Sequence, residues 1–306
     1  ALTGVTNQFP ATVGTNREYN DEYLGTYTHV LSNRAVNEAK VGKAVFGLAN
    51  ENYTTWSRHW QAANGVKTGS PRITFTGFSI GGNQNFPRHQ DQWVYSGRDD
   101  LTLSYDAKGR HDLKLGGEFL YRKQIQANCR QCMGTINATG TFNGAARPTD
   151  AQLQAWFPDP FNADTWNFAA ISPWVRFYQI GVGDFNVWLR SQKFAAWAQD
   201  DWRITDRLTL NLGLRYDLEM NAFANKIEVL PWQQAGRPND NLNFQPRLGF
   251  AYQVNDRTVV RGGSGLYYGD AIGADQSFAT GNAQVIVVQY DNPTPGAASN
   301  FAVDPT

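Results

Sequence analysis

Between Leu208 and Met220 every even position is apolar: Leu208, Leu210, Leu212, Leu214, Tyr216, Leu218 and Met220. Every odd position is small, polar or charged: Thr209, Asn211, Gly213, Arg215, Asp217 and Glu219. Side chains of a β-strand alternate between the two faces of a sheet, so this segment reads as a strand whose faces lie in different environments. One face touches an apolar medium, either a protein core or lipid. The other carries an Arg, an Asp and a Glu that demand water or partners.

Composition narrows the choice. The 306 residues are only 41% hydrophobic and carry zero formal charge, and mean hydropathy is −0.49. No run of about 18 apolar residues occurs, which excludes a transmembrane helix. The first residues, ALTGVTNQFP, have neither a basic segment nor an apolar one, so no signal peptide is expected there. Aromatics at 13%, ten Trp and 29 Gly fit an all-β chain with many exposed aromatics. A balanced charge gives no basic stripe for nucleic acid, and none is expected as a partner.

The pattern predicts about ten strands, near 22–31, 41–50, 71–80, 91–106, 110–125, 184–204, 207–220, 244–254, 257–269 and 283–291, and no convincing amphipathic helix. Several exceed ten residues, whereas a tilted strand of about 9–11 residues suffices to cross a bilayer. Lys108-Gly109-Arg110, Thr205-Asp206-Arg207 and Asn255-Asp256-Arg257 are tight polar turns, while 126–183 and 221–243 are long excursions, with a shorter one near 81–90. Short turns at one end and long loops at the other are the habit of an outer-membrane barrel. Tyr105, Trp202 and Tyr252 precede the turns, and Tyr267 and Tyr268 lie at the far end, where girdles of aromatics meet the lipid–water interfaces.

On this reading Lys114, Glu118, Arg215, Asp217, Glu219, Arg247 and Arg261 face a wet lumen. Leu113, Leu115, Phe119, Leu248, Phe250, Val260 and Leu266 face lipid. Asp99 and Asp200 break the pattern, falling on the face assigned to lipid.

The blocks "SYDAKGRHDLKLGGEFLYRK", "FAAWAQDDWRITDRLTLNLGLRYD", "NFQPRLGFAY" and "RTVVRGGSGLYYGD" resemble the barrel of TonB-dependent outer-membrane receptors, in particular the Oar-like branch, whose precursors often carry a carboxypeptidase-regulatory-like domain. The resemblance is specific over about 98–125 and 190–270. It implies an antiparallel transmembrane β-barrel of 22 strands in the outer membrane of a Gram-negative bacterium. It also implies an N-terminal plug and energisation by the inner-membrane TonB complex. Ten strands cannot close such a barrel, no plug or TonB box is visible, and the chain ends in FAVDPT without a terminal amphipathic strand. The 306 residues are therefore expected to be part of a longer polypeptide, holding a partial barrel with long extracellular loops at 126–183 and 221–243.

No catalytic constellation is apparent, and neither an enzyme nor a cofactor is expected. His29, His59, His89 and His111 are scattered without an HExxH pair. The GGSGL at 262–266 has Leu266 where a nucleophile elbow ends in Gly. Cys129 and Cys132, in "NCRQCMGT", lack the following His of a haem site and the further ligands of a zinc site. In an oxidising compartment a disulfide stiffening a loop tip is the simplest reading, with a metal or free thiols as alternatives.

The stretch 155–188 carries Trp156, Phe157, Phe161, Trp166, Phe168, Trp174, Phe177, Tyr178, Phe185 and Trp188. Such a loop either packs on itself over the barrel mouth or offers stacking faces to an extracellular ligand. In the second case Trp156, Phe157, Trp166, Trp174, Arg176 and Tyr178 would bind it, joined by Trp232 and Arg237 of the 221–243 loop. Three functions are compatible with these features: an active transporter, a barrel serving as scaffold or passive pore, and a soluble carbohydrate-binding β protein.

Overall fold

The computed structural model describes residues 2–3, 13–57, 69–222, 224–228, 230–232, 234–236, 238–270 and 280–292. Nine strands form one antiparallel sheet in the order β1-β2-β3-β6-β7-β10-β11-β12-β13. These are β1 (Leu2–Thr3), β2 (Gly14–Ser32), β3 (Ala35–Asn52), β6 (Arg88–Asp106), β7 (Arg110–Asn128), β10 (Asn186–Thr205), β11 (Leu208–Met220), β12 (Phe244–Asn255) and β13 (Thr258–Gly265). Polar turns at 33–34, 107–109, 206–207 and 256–257 join them at one end, and the long excursions leave at the other. Lys108 and Gly109 have φ of +51° and +120°, the left-handed backbone that a turn this tight requires.

Pairing fixes the two faces. Arg98, Glu118, Ala195, Trp197, Asp217 and Arg215 share one, whereas Leu113, Leu115, Phe119, Leu212, Leu214 and Leu248 share the other. The assignment of Leu210, Leu212, Leu214 and Leu218 opposite Asn211, Arg215 and Asp217 follows from this register. On the apolar face Tyr105, His111 and Trp202 stack in a row near the turns, with ring centroids 4.8 and 5.2 Å apart. Further up, Tyr95 stacks on Tyr121 at 6.3 Å, flanked by Lys43 over Tyr95 and Lys123 over Trp93.

Those two aromatic levels measure the apolar band. From His111 to Tyr121 the strand climbs about 33 Å at ~3.3 Å per residue. At a barrel tilt of roughly 40° this spans about 25 Å, the height of the apolar belt of outer-membrane barrels. The rows between are Leu103–Leu113–Asp200–Leu212, Leu101–Leu115–Ala198–Leu214, Asp99–Gly117–Ala196–Tyr216 and Gly97–Phe119–Phe194–Leu218. A sheet in hydrocarbon cannot keep open edges, so closure needs strands beyond these nine.

The strands run on above the upper aromatic level and carry a second body. Its sheet has the order β14-β9-β8-β4-β5, from β4 (Arg72–Phe75), β5 (Phe78–Gly81), β8 (Thr135–Asn137), β9 (Phe177–Gly183) and β14 (Val285–Asp291). Two expectations are corrected here. The segments 71–80 and 283–291 are strands, but of this cap and not of the barrel wall, because their apolar residues bury against one another. Phe75, Ile73 and Ile80 of the first are buried, while Val285 to Asp291 pairs with β9. The cap also holds a helix, α1 (Asp150–Trp156), in a stretch expected to be loop. Thr149 and Gln152 form a capping box at its start, a signature present in the sequence as Thr-x-x-Gln. A shorter helical turn, α2 (Phe168–Ile171), follows.

Candidate functional site

Three excursions far apart in sequence build the cap. Thr55 N–H donates to the Phe161 carbonyl and Ala163 N–H to that of Thr55, both at 2.8 Å. The Asp164 carboxylate accepts from the Ser57 N–H and hydroxyl at 3.1 and 2.7 Å. Ala138 N–H donates to Thr74 O, and Asn292 N–H to Arg176 O, each at 2.8 Å. Trp56, Ile73, Phe75, Ile136, Trp156, Phe157, Trp166, Ile171, Trp174 and Tyr178 interlock in one core. Edge-to-face contacts join Phe157 to Trp166 at 5.3 Å and Phe75 to Phe157 at 6.1 Å, a favourable ring geometry.

The expectation that these rings stack on a ligand is corrected. Trp156, Trp166 and Trp174 are 8, 6 and 2% exposed, and Phe157 and Tyr178 are equally buried. Their faces are spent on each other. Ten aromatics in one loop signal a small hydrophobic core, because only burial against a partner offsets the ordering of so much apolar surface. Arg176 is exposed, and so is Trp232 at 85%; Arg237 lies outside the described residues. The 221–243 loop bonds to itself, Gly236 N–H to Asn225 O at 2.7 Å, and to the wall through Asn221 Nδ2 and Gln192 Oε1 at 3.2 Å.

Cys129 and Cys132 form a disulfide with Cα atoms 5.1 Å apart. Both are buried in the cap core, so the expected loop-tip position is corrected. Cys129 directly follows β7, its N–H donates to Pro87 O at 3.1 Å, and Gln131 N–H donates to Gln84 O at 2.7 Å. The bridge closes a tight turn just above β7, and the two backbone hydrogen bonds join that turn to the neighbouring excursion.

Buried polar atoms of the cap without a protein partner among the described residues include the Tyr178 hydroxyl and Arg72 Nε. Burial pushes the Tyr178 phenol above its ordinary range, with Tyr290 adding to the shift, and burial lowers the Arg72 guanidinium. Both follow from the cost of a charge away from water.

Beneath the cap the polar face forms a ladder. Arg98 and Arg215 both lie over the Trp197 indole, at 4.7 and 5.0 Å. Arg98 meets Asp100 with two bonds of 2.6 and 3.0 Å. Arg215 meets Asp217 at 2.9 Å and Glu118 at 3.5 Å, and Gln245 donates to Asp217 from the next strand. Arg247 donates to Gln245 at 3.4 Å and stacks over Tyr267 at 4.6 Å. Gly116 sits under Trp197, where a Cβ would meet the indole at 2.4 Å, so only glycine lets the ring lie flat. A hollow of about 190 Å³ opens among Arg98, Trp197, Gln199, Arg215 and Arg247. Arg215, Asp217, Glu118 and Arg247 were legible as lumen-facing. Arg98 and Trp197 were missed, although the parity of β6 and β10 placed them on this face, and Tyr267, expected in the outer aromatic girdle, instead meets the lumen-facing Arg247. Above the ladder Gln124, Gln126, Val187 and Leu189, on the same face, are buried, so the cap leans inward over the lumen. Among the described residues no cluster of three or more His, Cys, Asp or Glu could hold a metal.

A family model described as outer membrane beta barrel domain matches residues 2–306. No curated protein matches. Solved structures similar to the chain include the outer membrane transporter YddB from Escherichia coli, at 12% identity and a TM-score of 0.47 over 84% of this chain and 28% of that one. The pyoverdine outer membrane receptor FpvA from Pseudomonas aeruginosa PAO1 is 14% identical, with a TM-score of 0.47 over 83% and 30%. BauA, the ferric preacinetobactin receptor from Acinetobacter baumannii, is 10% identical, with a TM-score of 0.38 over 80% and 30%. The chain thus spans less than a third of the length of these structures.

Proposed function

This chain belongs to the outer-membrane β-barrel domain family, residing in the outer membrane of a Gram-negative bacterium, and we propose that it supplies wall and extracellular cap of a TonB-dependent receptor of the Oar-like branch, which takes up an extracellular ligand. The observation that carries the proposal is the cap. It is a cross-chained, disulfide-tied body held over the inner face of a polar wall, above the apolar band. A pore needs only short, open loops to pass solutes. A covered mouth suits selection of a ligand before active passage.

Because the wide aromatic core is closed, ligand contact falls to exposed groups at the rim. Trp232 and Arg176 are the exposed residues we assign to it, and Arg237, in the same stretch "PWQQAGRPND" as Trp232, is added from the sequence alone. Stacking on one indole contributes on the order of 1 kcal/mol, so Trp232→Ala lowers affinity about five- to tenfold.

The test is uptake by cells carrying the full-length protein, offered a panel of labelled metal chelates, oligosaccharides and peptides. Active transport predicts that accumulation of one class requires both this protein and the TonB complex. Passage that persists without TonB, with swelling of liposomes holding the purified protein, would support a passive pore. A scaffold role is the second reading, favoured by exposed apolar residues of the cap, where Val182 pairs with Ile286. It predicts no uptake at all. Release by carbonate without detergent would point instead to a soluble carbohydrate-binding protein.

A further inference from the structure

The carboxylate of Asp99 lies on the apolar face, in the row Asp99–Gly117–Ala196–Tyr216, halfway between the two aromatic levels. It is exposed. Asn37 Nδ2 donates to Oδ1 at 2.8 Å, and no donor among the described residues reaches the other oxygen. A charged or half-satisfied carboxylate facing hydrocarbon is costly and marks a functional site with a partner. Asp200 also lies on this face, but beside the lower aromatic row, where the ionisable His111 donates Nδ1–H to one oxygen at 2.6 Å and the other oxygen is buried. Asp99 is exposed and has only the neutral Asn37 amide.

The space around Asp99 supplies a second, steric observation. Gly97 and Gly117 flank it on the same face. A Cβ on Gly97 would meet nothing within 4 Å, and one on Gly117 only the Ala195 carbonyl at 3.5 Å. Gly47, by contrast, is forced, since a Cβ there would strike the Tyr19 ring at 1.9 Å. Glycine weakens a strand interior, and where its own fold does not need it, it marks close approach of another backbone. Ala39 and Ala196 extend the notch, bounded by Tyr27, Phe119 and Phe194.

We propose that this notch is the docking face for a membrane-embedded segment of a different protein, which places a Lys, Arg or His side chain on Asp99. The partner's charge is fixed by complementarity: this is an acid with one open oxygen in a medium that offers no counter-ion. A second copy is the poorer fit. It would bring a like charge, and Asn37 has already committed its amide hydrogens to Asp99 and to the Asp100 carbonyl at 3.3 Å. Small residues at the contact allow the close packing that drives association within membranes.

The test places a photo-reactive benzoylphenylalanine at Leu101, beside the notch, and separately at Leu214, on the wall away from it. It uses the full-length protein in its native outer membrane. The Leu101 probe is expected to trap one protein, with the mapped peptide carrying a basic residue in a membrane-embedded segment, while the Leu214 probe traps lipid. Asp99→Lys should lower the adduct at least tenfold, and exchanging the partner's basic residue for Asp should restore it. Gly97→Leu, which fills space the fold leaves open, should lower it too. Heat-modifiable migration confirms that each variant folds. The proposal is overturned if the Leu101 probe traps only lipid or only a second copy, or if Asp99→Lys leaves the adduct unchanged. Absence of lipid adducts at Leu214 would overturn the membrane placement itself.

Discussion

Asp200 and His111 form a pair on the lipid-facing side of the wall, Nδ1–H donating to Oδ2 at 2.6 Å. The imidazole lies in the stack between Tyr105 and Trp202, and its Nε2 is 3.0 Å from the Ala107 carbonyl. An acid that breaks the apolar alternation is thus anchored by the aromatic girdle one row below it.

This pairing predicts a non-additive cycle. His111→Leu leaves the carboxylate without its donor and should destabilise the barrel by about 2–3 kcal/mol, the cost of an orphaned polar group away from water. Asp200→Leu together with His111→Leu should cost much less than the single change, since no orphan remains. Urea unfolding in micelles, followed by Trp fluorescence, measures both. Equal losses would show that the pair carries no coupling.

Depth along β11 predicts a gradient. Leu214 lies beside the midplane row and Leu212 one row above the lower girdle. Leu214→Arg should cost about 2–4 kcal/mol, Leu212→Arg less, and Asn211→Lys, on the lumen side, close to nothing. A loss at Asn211 equal to that at Leu214 would contradict the face assignment.

The cap's closed core predicts that its aromatics are structural. Trp174→Ala should cost about 3–5 kcal/mol of cap stability. Loss of the Cys129–Cys132 bridge, whose closed loop is short, should cost about 2 kcal/mol. Protease added to intact cells should then cut the cap of either variant and spare the turn at Asp206, which lies on the periplasmic side. Cutting at Asp206 would invert the sidedness.

Tyr178 gives a pH dependence. Its phenol is buried, lacks a protein partner among the described residues and is pushed above its ordinary range. The native cap holds this proton more tightly than the unfolded chain does. Stability tied to the neutral phenol is therefore complete below pH about 10 and falls as pH rises beyond it. Tyr178→Phe should leave the cap as stable or more so at neutral pH and flatten the alkaline loss. An unchanged alkaline profile in the variant would assign that loss to other groups.

What was legible in the sequence followed from period. β11 alternates without exception, and β7 and β12 nearly so, so their faces and turns could be read directly. β2 and β3 were placed but cut short: β2 above the girdle, where the outer face turns polar at Asp21, and β3 at its turn end, where Asn37 interrupts a weak outer face of Ala35 and Ala39, although pairing continues in both. The cap was the larger omission. β4 and β8 pair in parallel across some sixty residues of sequence, a contact that no local pattern records. The rings of 155–188 were visible as a cluster, but whether they face inward depends on Trp56, Ile73 and Phe75 from another excursion. Asp99 and Asp200 were visible as exceptions; only the register set Asp200 against the His111 imidazole and Asp99 against the Asn37 amide.

The central claim is that one face of this sheet meets lipid and the other a wet lumen beneath a cap. Spin labels placed singly at each position from 208 to 220, in the full-length protein in bilayers, test it most directly through collision with oxygen and with a water-soluble nickel complex. Oxygen access should peak at the even positions and nickel access at the odd ones, with a period of two through the whole strand. Loss of that period, or its reversal, would contradict the account.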